Sequence, residues 1–62
     1  MKYSEIHKKL REAGCYIVRY GGRHPVWESP ITGLQFETSY HDSEEARKGT
    51  LHNIKKKSGV KL

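Results

Sequence analysis

The chain has 62 residues, 34% apolar and 31% charged, which leaves room for one thin-cored domain over residues 1–62 and sets it apart from a disordered tail. Twelve Lys and Arg against seven Asp and Glu give a formal charge of +5 and a pI near 9.6, a surplus that suits a polyanionic partner as well as a merely solvated surface. No apolar run approaches the ~20 residues of a membrane span, no stretch joins a basic face to a broad apolar one, and no secretion signal is read before the first element; the expectation is a cytoplasmic protein with no membrane partner.

Ser4 reads as the N-cap of a first helix, with Glu5 at its positive end. Ile6, Leu10 and Ala13 follow at helical spacing, Lys8, Lys9, Arg11 and Glu12 take the wet side, and Gly14 stands where a glycine cap is expected, so the helix spans about 4–13. Cys15-Tyr16-Ile17-Val18-Arg19-Tyr20 is β-branched and aromatic, and too short for a helix. A lone cysteine forms neither an internal disulfide nor a zinc site by itself, and Cys15 reads as a buried structural thiol.

Gly21-Gly22 predicts a turn, and His24–Glu28 a second strand whose Pro25 marks either a missing ladder donor at its start or an edge. After a turn at 29–33, Leu34, Phe36, Thr38 and Tyr40 alternate with polar residues, which predicts a half-buried third strand. Residues 41–49 form a polar connector. Thr50 then caps a last helix carrying Leu51 and Ile54, followed by Lys55-Lys56-Lys57 and closed by Gly59. Short turns between consecutive strands require an antiparallel meander. The reading is therefore a two-layer α+β fold in the order α-β-β-β-α, with a three-stranded antiparallel sheet and both helices on one face, an order shared with double-stranded RNA-binding domains.

Four histidines are present, and no pair has zinc-ligand spacing, so no metal site or cofactor is expected. His7 and His52 read as ordinary surface residues. His24 sits just after a flexible glycine turn, beside the fixed charge of Arg23, where a strand begins. RNA cleavage needs such a pair: a group that takes the 2′-hydroxyl proton, and cations for the charge growing on phosphorus. An exposed turn histidine without a function fits the same residues. His41, at the end of the third strand, is a candidate second acid–base group if simple hairpin register brings it near His24, and equally a capping or solvated histidine.

Arg19, Gly22 and Arg23 flank or form the turn and suit the scissile phosphate. Lys48, Lys55, Lys56, Lys57 and Lys61 gather toward the last helix and suit sequence-blind backbone contact, although a lysine run is more often a solvated face. Trp27 and Tyr40 are candidates for stacking on bases or for the core.

The pattern Gly14…Arg19…Gly22-Arg23-His24…Trp27, a strand ending in His41, and Lys48-Gly49-Thr50-Leu51…Ile54…Gly59 resembles the HicA toxins over nearly the whole chain. The resemblance implies a small double-stranded RNA-binding-like fold and a ribonuclease that cleaves messenger RNA without a metal, halting translation. It implies that His24 is the catalytic residue and sets His41 at the position of the family's second histidine, while the supporting part given to Arg23 comes from its charge beside His24. It also implies a HicB-type antitoxin that masks the site and commonly carries a DNA-binding segment. Arg23 stands where the family's turn usually has serine, Pro25 stiffens the next position, and Ser39 stands where proline often precedes the second histidine. A non-catalytic RNA-binding module of the same fold is the alternative, followed by a protein whose sheet face mainly docks another protein.

Overall fold

The computed structural model describes residues 1–62 in the order α1 (Tyr3–Glu12), β1 (Tyr16–Tyr20), β2 (Pro25–Glu28), β3 (Gln35–Glu37) and α2 (Lys48–Ser58). The strands form one antiparallel sheet in the order β1-β2-β3. The expected α+β arrangement is present. Pro25 opens the central strand, so its missing N–H falls at the strand start and not on an edge.

Ile17, Trp27 and Phe36 are cross-strand partners and form one row across the sheet. Tyr3, Ile6 and Leu10 of α1 and Ile54 of α2 close over that row, with Cys15 in the same cluster. Trp27 is the centre of this layer at 1% exposure. Its ring stacks on Phe36, with centroids 6.5 Å apart, and on His7 at 5.4 Å, and the Arg11 guanidinium lies over it at 5.4 Å. Burial on this scale makes truncation of Trp27 to alanine cost about 3–5 kcal/mol, and it rules out the base-stacking role considered for this residue.

The ends of α1 show how the chain satisfies its backbone. Its N-cap is Lys2, not Ser4, and no side chain caps it. The free amides of Tyr3 and Ser4 instead donate to the carbonyls of Glu44 and Asp42, at 3.0 and 2.9 Å. The polar connector thus caps α1 with its own backbone. At the other end, Cys15 N–H bonds Leu10 carbonyl and Gly14 N–H bonds Arg11 carbonyl, while Gly14 takes φ +93°. That is a Schellman closure, with Leu10 and Cys15 both buried beside it.

Three other expectations shift. β3 is only Gln35–Glu37, and Leu34 and Tyr40 are exposed, while Phe36 and Thr38 are buried. α2 begins at Lys48 with Arg47 as N-cap, so Thr50 lies in its first turn and does not cap it. Its C-terminus is held by the β2–β3 turn: Ser29 hydroxyl donates to Ser58 carbonyl and Thr32 hydroxyl to Lys57 carbonyl. Gly59 ends the helix at φ +70°, and a Cβ there would press to 3.0 Å from Ile31 and Thr32. The third shift is His7, which is 5% exposed and belongs to the interior.

Candidate active site

His24 lies in the turn leading into β2, and one steric restriction and two hydrogen bonds fix that turn. A Cβ on Gly21 would sit 2.7 Å from the His24 carbonyl oxygen, so only glycine lets the chain fold this tightly. Tyr40 hydroxyl donates to the Gly21 carbonyl at 2.6 Å. The His24 ring itself bonds through Nδ1 to the Thr38 carbonyl at 3.1 Å. A carbonyl only accepts, so Nδ1 carries the hydrogen, and the neutral ring keeps the Nε2 lone pair free.

Thr38 is in turn anchored from below. Its hydroxyl oxygen accepts from Trp27 Nε1–H at 2.9 Å and lies 2.8 Å from His7 Nε2. His7 Nδ1 lies 2.8 Å from Asp42 Oδ1. A carboxylate can only accept, so Nδ1 donates to Asp42; Nε2 of the neutral ring then accepts the Thr38 hydroxyl hydrogen. Every partner is satisfied in this direction. Burial of His7 pulls its pKa below the ordinary histidine value, while Asp42 pulls the other way and Arg11 adds to the depression. The neutral ring is the form this chain of bonds requires.

His24 stands at one end of an open groove of about 670 Å³ between β3 and α2. Phe36 and Tyr3 supply its two apolar contributions. Gln35, Glu37 and Thr38 line it from the strand side, and Gly49, Thr50, His52, Asn53 and Lys57 from the helix. Leu34 carbonyl accepts from Ser29 and Thr38 N–H donates to Pro25, which puts residues 34 and 38 in register with β2. By antiparallel alternation, the backbone N–H and C=O groups of Gln35 and Glu37 point away from β2, along the free edge.

The other expected residues are distributed as follows. Arg19, Gly22 and Arg23 are exposed at the turn, and the Arg19 guanidinium approaches the Gly21 side of it. Gly22 has open space around it. Lys48, Lys55 and Lys56 are exposed on α2 but do not line the groove; Lys57 does. His41 is exposed and does not line it either. Its amide bonds Ser39 hydroxyl and its carbonyl accepts from Glu44, within the segment that caps α1. His52 and Asn53 were not among the expected site residues. Gly49, Asn53 and Lys57 recur every four residues, a stripe that would have marked this face beside the Leu51, Ile54 and Ser58 face. No three His, Cys, Asp or Glu side chains converge in a metal-holding cluster, and no helix is long and apolar enough to cross a membrane.

Comparison with curated proteins and with solved structures gives no match. Among protein families, the model for the HicA toxin of bacterial toxin–antitoxin matches residues 3–60, from the first residue of α1 to just beyond the glycine that ends α2. That span takes in the whole fold and the His24 turn, and the chain belongs to the HicA toxin family.

Proposed function

We propose that this protein is an endoribonuclease toxin that cleaves messenger RNA without a metal, with His24 as its acid–base residue. The observation that carries the reading is the bond from His24 Nδ1 to the Thr38 carbonyl, which leaves Nε2 as a free base at the end of a polar groove. Nε2 takes the proton of a ribose 2′-hydroxyl, whose oxygen attacks the adjacent phosphorus. The bond from phosphorus to the 5′ oxygen breaks, and that oxygen leaves with a proton from the imidazolium or from water. Arg23, exposed beside His24, offsets the charge that grows on the phosphoryl oxygens, and Arg19, Lys48, Lys55 and Lys56 hold the strand by its phosphates, with Gly22 permitting close approach. The partner in this reading is a HicB-type antitoxin that covers the groove, and the protein works in the cytoplasm as one domain.

The test is product chemistry. Purified protein incubated with RNA in EDTA is expected to yield 2′,3′-cyclic phosphate (or its opened monophosphate) and 5′-hydroxyl ends. A 5′-phosphate product, or loss of cleavage in EDTA, contradicts the mechanism. Salt-sensitive RNA binding with no strand scission would make the protein a binding module.

A further inference from the structure

We propose that the groove between the free edge of β3 and α2 is a track for single-stranded RNA running away from the scissile phosphate, in which Lys57 binds a second, more distant phosphate. This rests on the reading of the chain as an RNA-cleaving toxin, and adds where the rest of the strand lies and which residue holds it.

Two backbone measures set the scale. Thr38, whose carbonyl holds His24, and Gln35 lie three residues apart at opposite ends of the strand wall, which is about 10 Å. Gly49 and Lys57 lie eight residues apart along the helical wall, which is about 12 Å. Thr32 hydroxyl bonds the Lys57 carbonyl, which ties Lys57 to the turn that precedes Gln35. His24 and Lys57 therefore mark opposite ends of one groove. An occupant that meets both must be extended and must carry negative charge away from the reacting bond. A nucleic-acid strand has that form; a mononucleotide does not.

The lining between the ends suits the same occupant. Nine of the eleven lining residues are not hydrophobic. The outward amides at Gln35 and Glu37 offer donors to phosphate and sugar oxygens, and Asn53 offers an amide. The Glu37 carboxylate repels phosphate, and so favours a base with exocyclic amino hydrogens at the middle of the track over a backbone that hugs β3. Within the groove, phosphate contact is left to Lys57 at one end, with Arg23 exposed beside His24 at the other. Lys57 meets this need with little cost to the fold, since it is exposed and the bond it makes to Thr32 uses only its carbonyl.

The experiment uses full-length protein and short oligoribonucleotides with one cleavable ribose, in which a neutral methylphosphonate linkage is moved step by step from the scissile bond. Affinity is read on strands whose single reactive ribose is replaced by 2′-deoxyribose, and cleavage on the reactive strands. Lys57→Ala is expected to weaken binding of the fully charged strand about threefold to tenfold and to lower the slope of log affinity against log salt by about 0.7. One methylphosphonate position away from the scissile bond should weaken wild-type binding by the same factor and have no effect on Lys57→Ala. The charge-matched control Lys8→Ala, on the exposed side of α1, should leave that methylphosphonate effect intact. Equal binding by wild type and Lys57→Ala, or additive effects of the substitution and every neutral linkage, overturns the proposal. If the strands bind with the expected Lys57 coupling but no variant cuts them, the track stands and the cleavage reading falls.

Discussion

His7 and Thr38 meet side chain to side chain inside the fold, with Nε2 and Oγ1 2.8 Å apart, although 31 residues separate them in sequence. The same threonine carries on its carbonyl the hydrogen bond that orients His24. One residue therefore joins the interior bond network, through Trp27, His7 and Asp42, to the imidazole proposed as the acid–base group.

Thr38→Val tests that junction. The shape is kept, but Trp27 Nε1–H and His7 Nε2 both lose their partner in a buried setting. A loss of about 2–4 kcal/mol is expected, read from urea denaturation midpoints. Thr38→Ser keeps the hydroxyl and should lose about 1 kcal/mol or less. Below the unfolding range, RNA cleavage should fall further in the valine variant than in the serine variant, because the carbonyl that orients His24 is less firmly held.

His7 makes stability depend on pH in a defined window. Its folded pKa is depressed, so the unfolded chain takes up the proton first. The contribution is complete above the unfolded value of about 6.5 and is lost as pH falls from there through the lower folded value. The melting temperature should drop between pH 7 and 5. In His7→Phe, which removes the titrating group but keeps a ring against Trp27, that slope should flatten. An unchanged slope would show that some other group governs the window.

The two glycines of the turn should behave oppositely. Gly21→Ala forces a Cβ to 2.7 Å from the His24 carbonyl oxygen and should cost about 1–3 kcal/mol together with most of the activity. Gly22→Ala meets nothing within 4 Å and has no positive φ, so its fold should be unaffected. A fall in RNA affinity for that variant alone would place the strand against Gly22. Circular dichroism and RNA binding measured together separate the cases.

Tyr40→Phe removes the hydroxyl bond to the Gly21 carbonyl on an exposed residue. Stability should fall by no more than about 1 kcal/mol. The cleavage rate should fall more than RNA affinity does, because the loss is in the placement of His24 and not in contact with the strand.

Much of this was legible in the sequence, for stated reasons. Helical spacing, β-branched and aromatic runs, the alternation around Phe36 and glycine punctuation located every helix and strand, and Gly14 and Gly59 closed the helices where expected, since positive φ leaves few other choices. The Gly21–His24 turn was visible because it combines a tight bend with a titratable residue. His7 was hidden by its polarity. It lies in the stripe Tyr3, Ile6, His7, Leu10 at helical spacing, and its burial depends on Thr38 and Asp42, more than 30 residues away. The capping of α1 by the carbonyls of Asp42 and Glu44 was hidden for a related reason, because backbone groups carry no sequence signature. The early end of β3 also escaped pattern reading. Thr38 keeps the alternation, but its hydroxyl turns inward to serve Trp27 and His7, and the chain then leaves the sheet to reach α1.

The measurement that bears most directly on the central claim compares wild type and His24→Ala on the same RNA, reading cleavage and affinity in parallel. Removing the imidazole takes away its bond to Thr38 but leaves Gly21, the Tyr40 bond to the turn, the rest of the groove lining and the basic residues in place. Cleavage lost by a factor of about 100 or more at nearly unchanged affinity is the result the account predicts. Cleavage by His24→Ala at the wild-type rate would contradict it and return His24 to the status of an ordinary turn histidine.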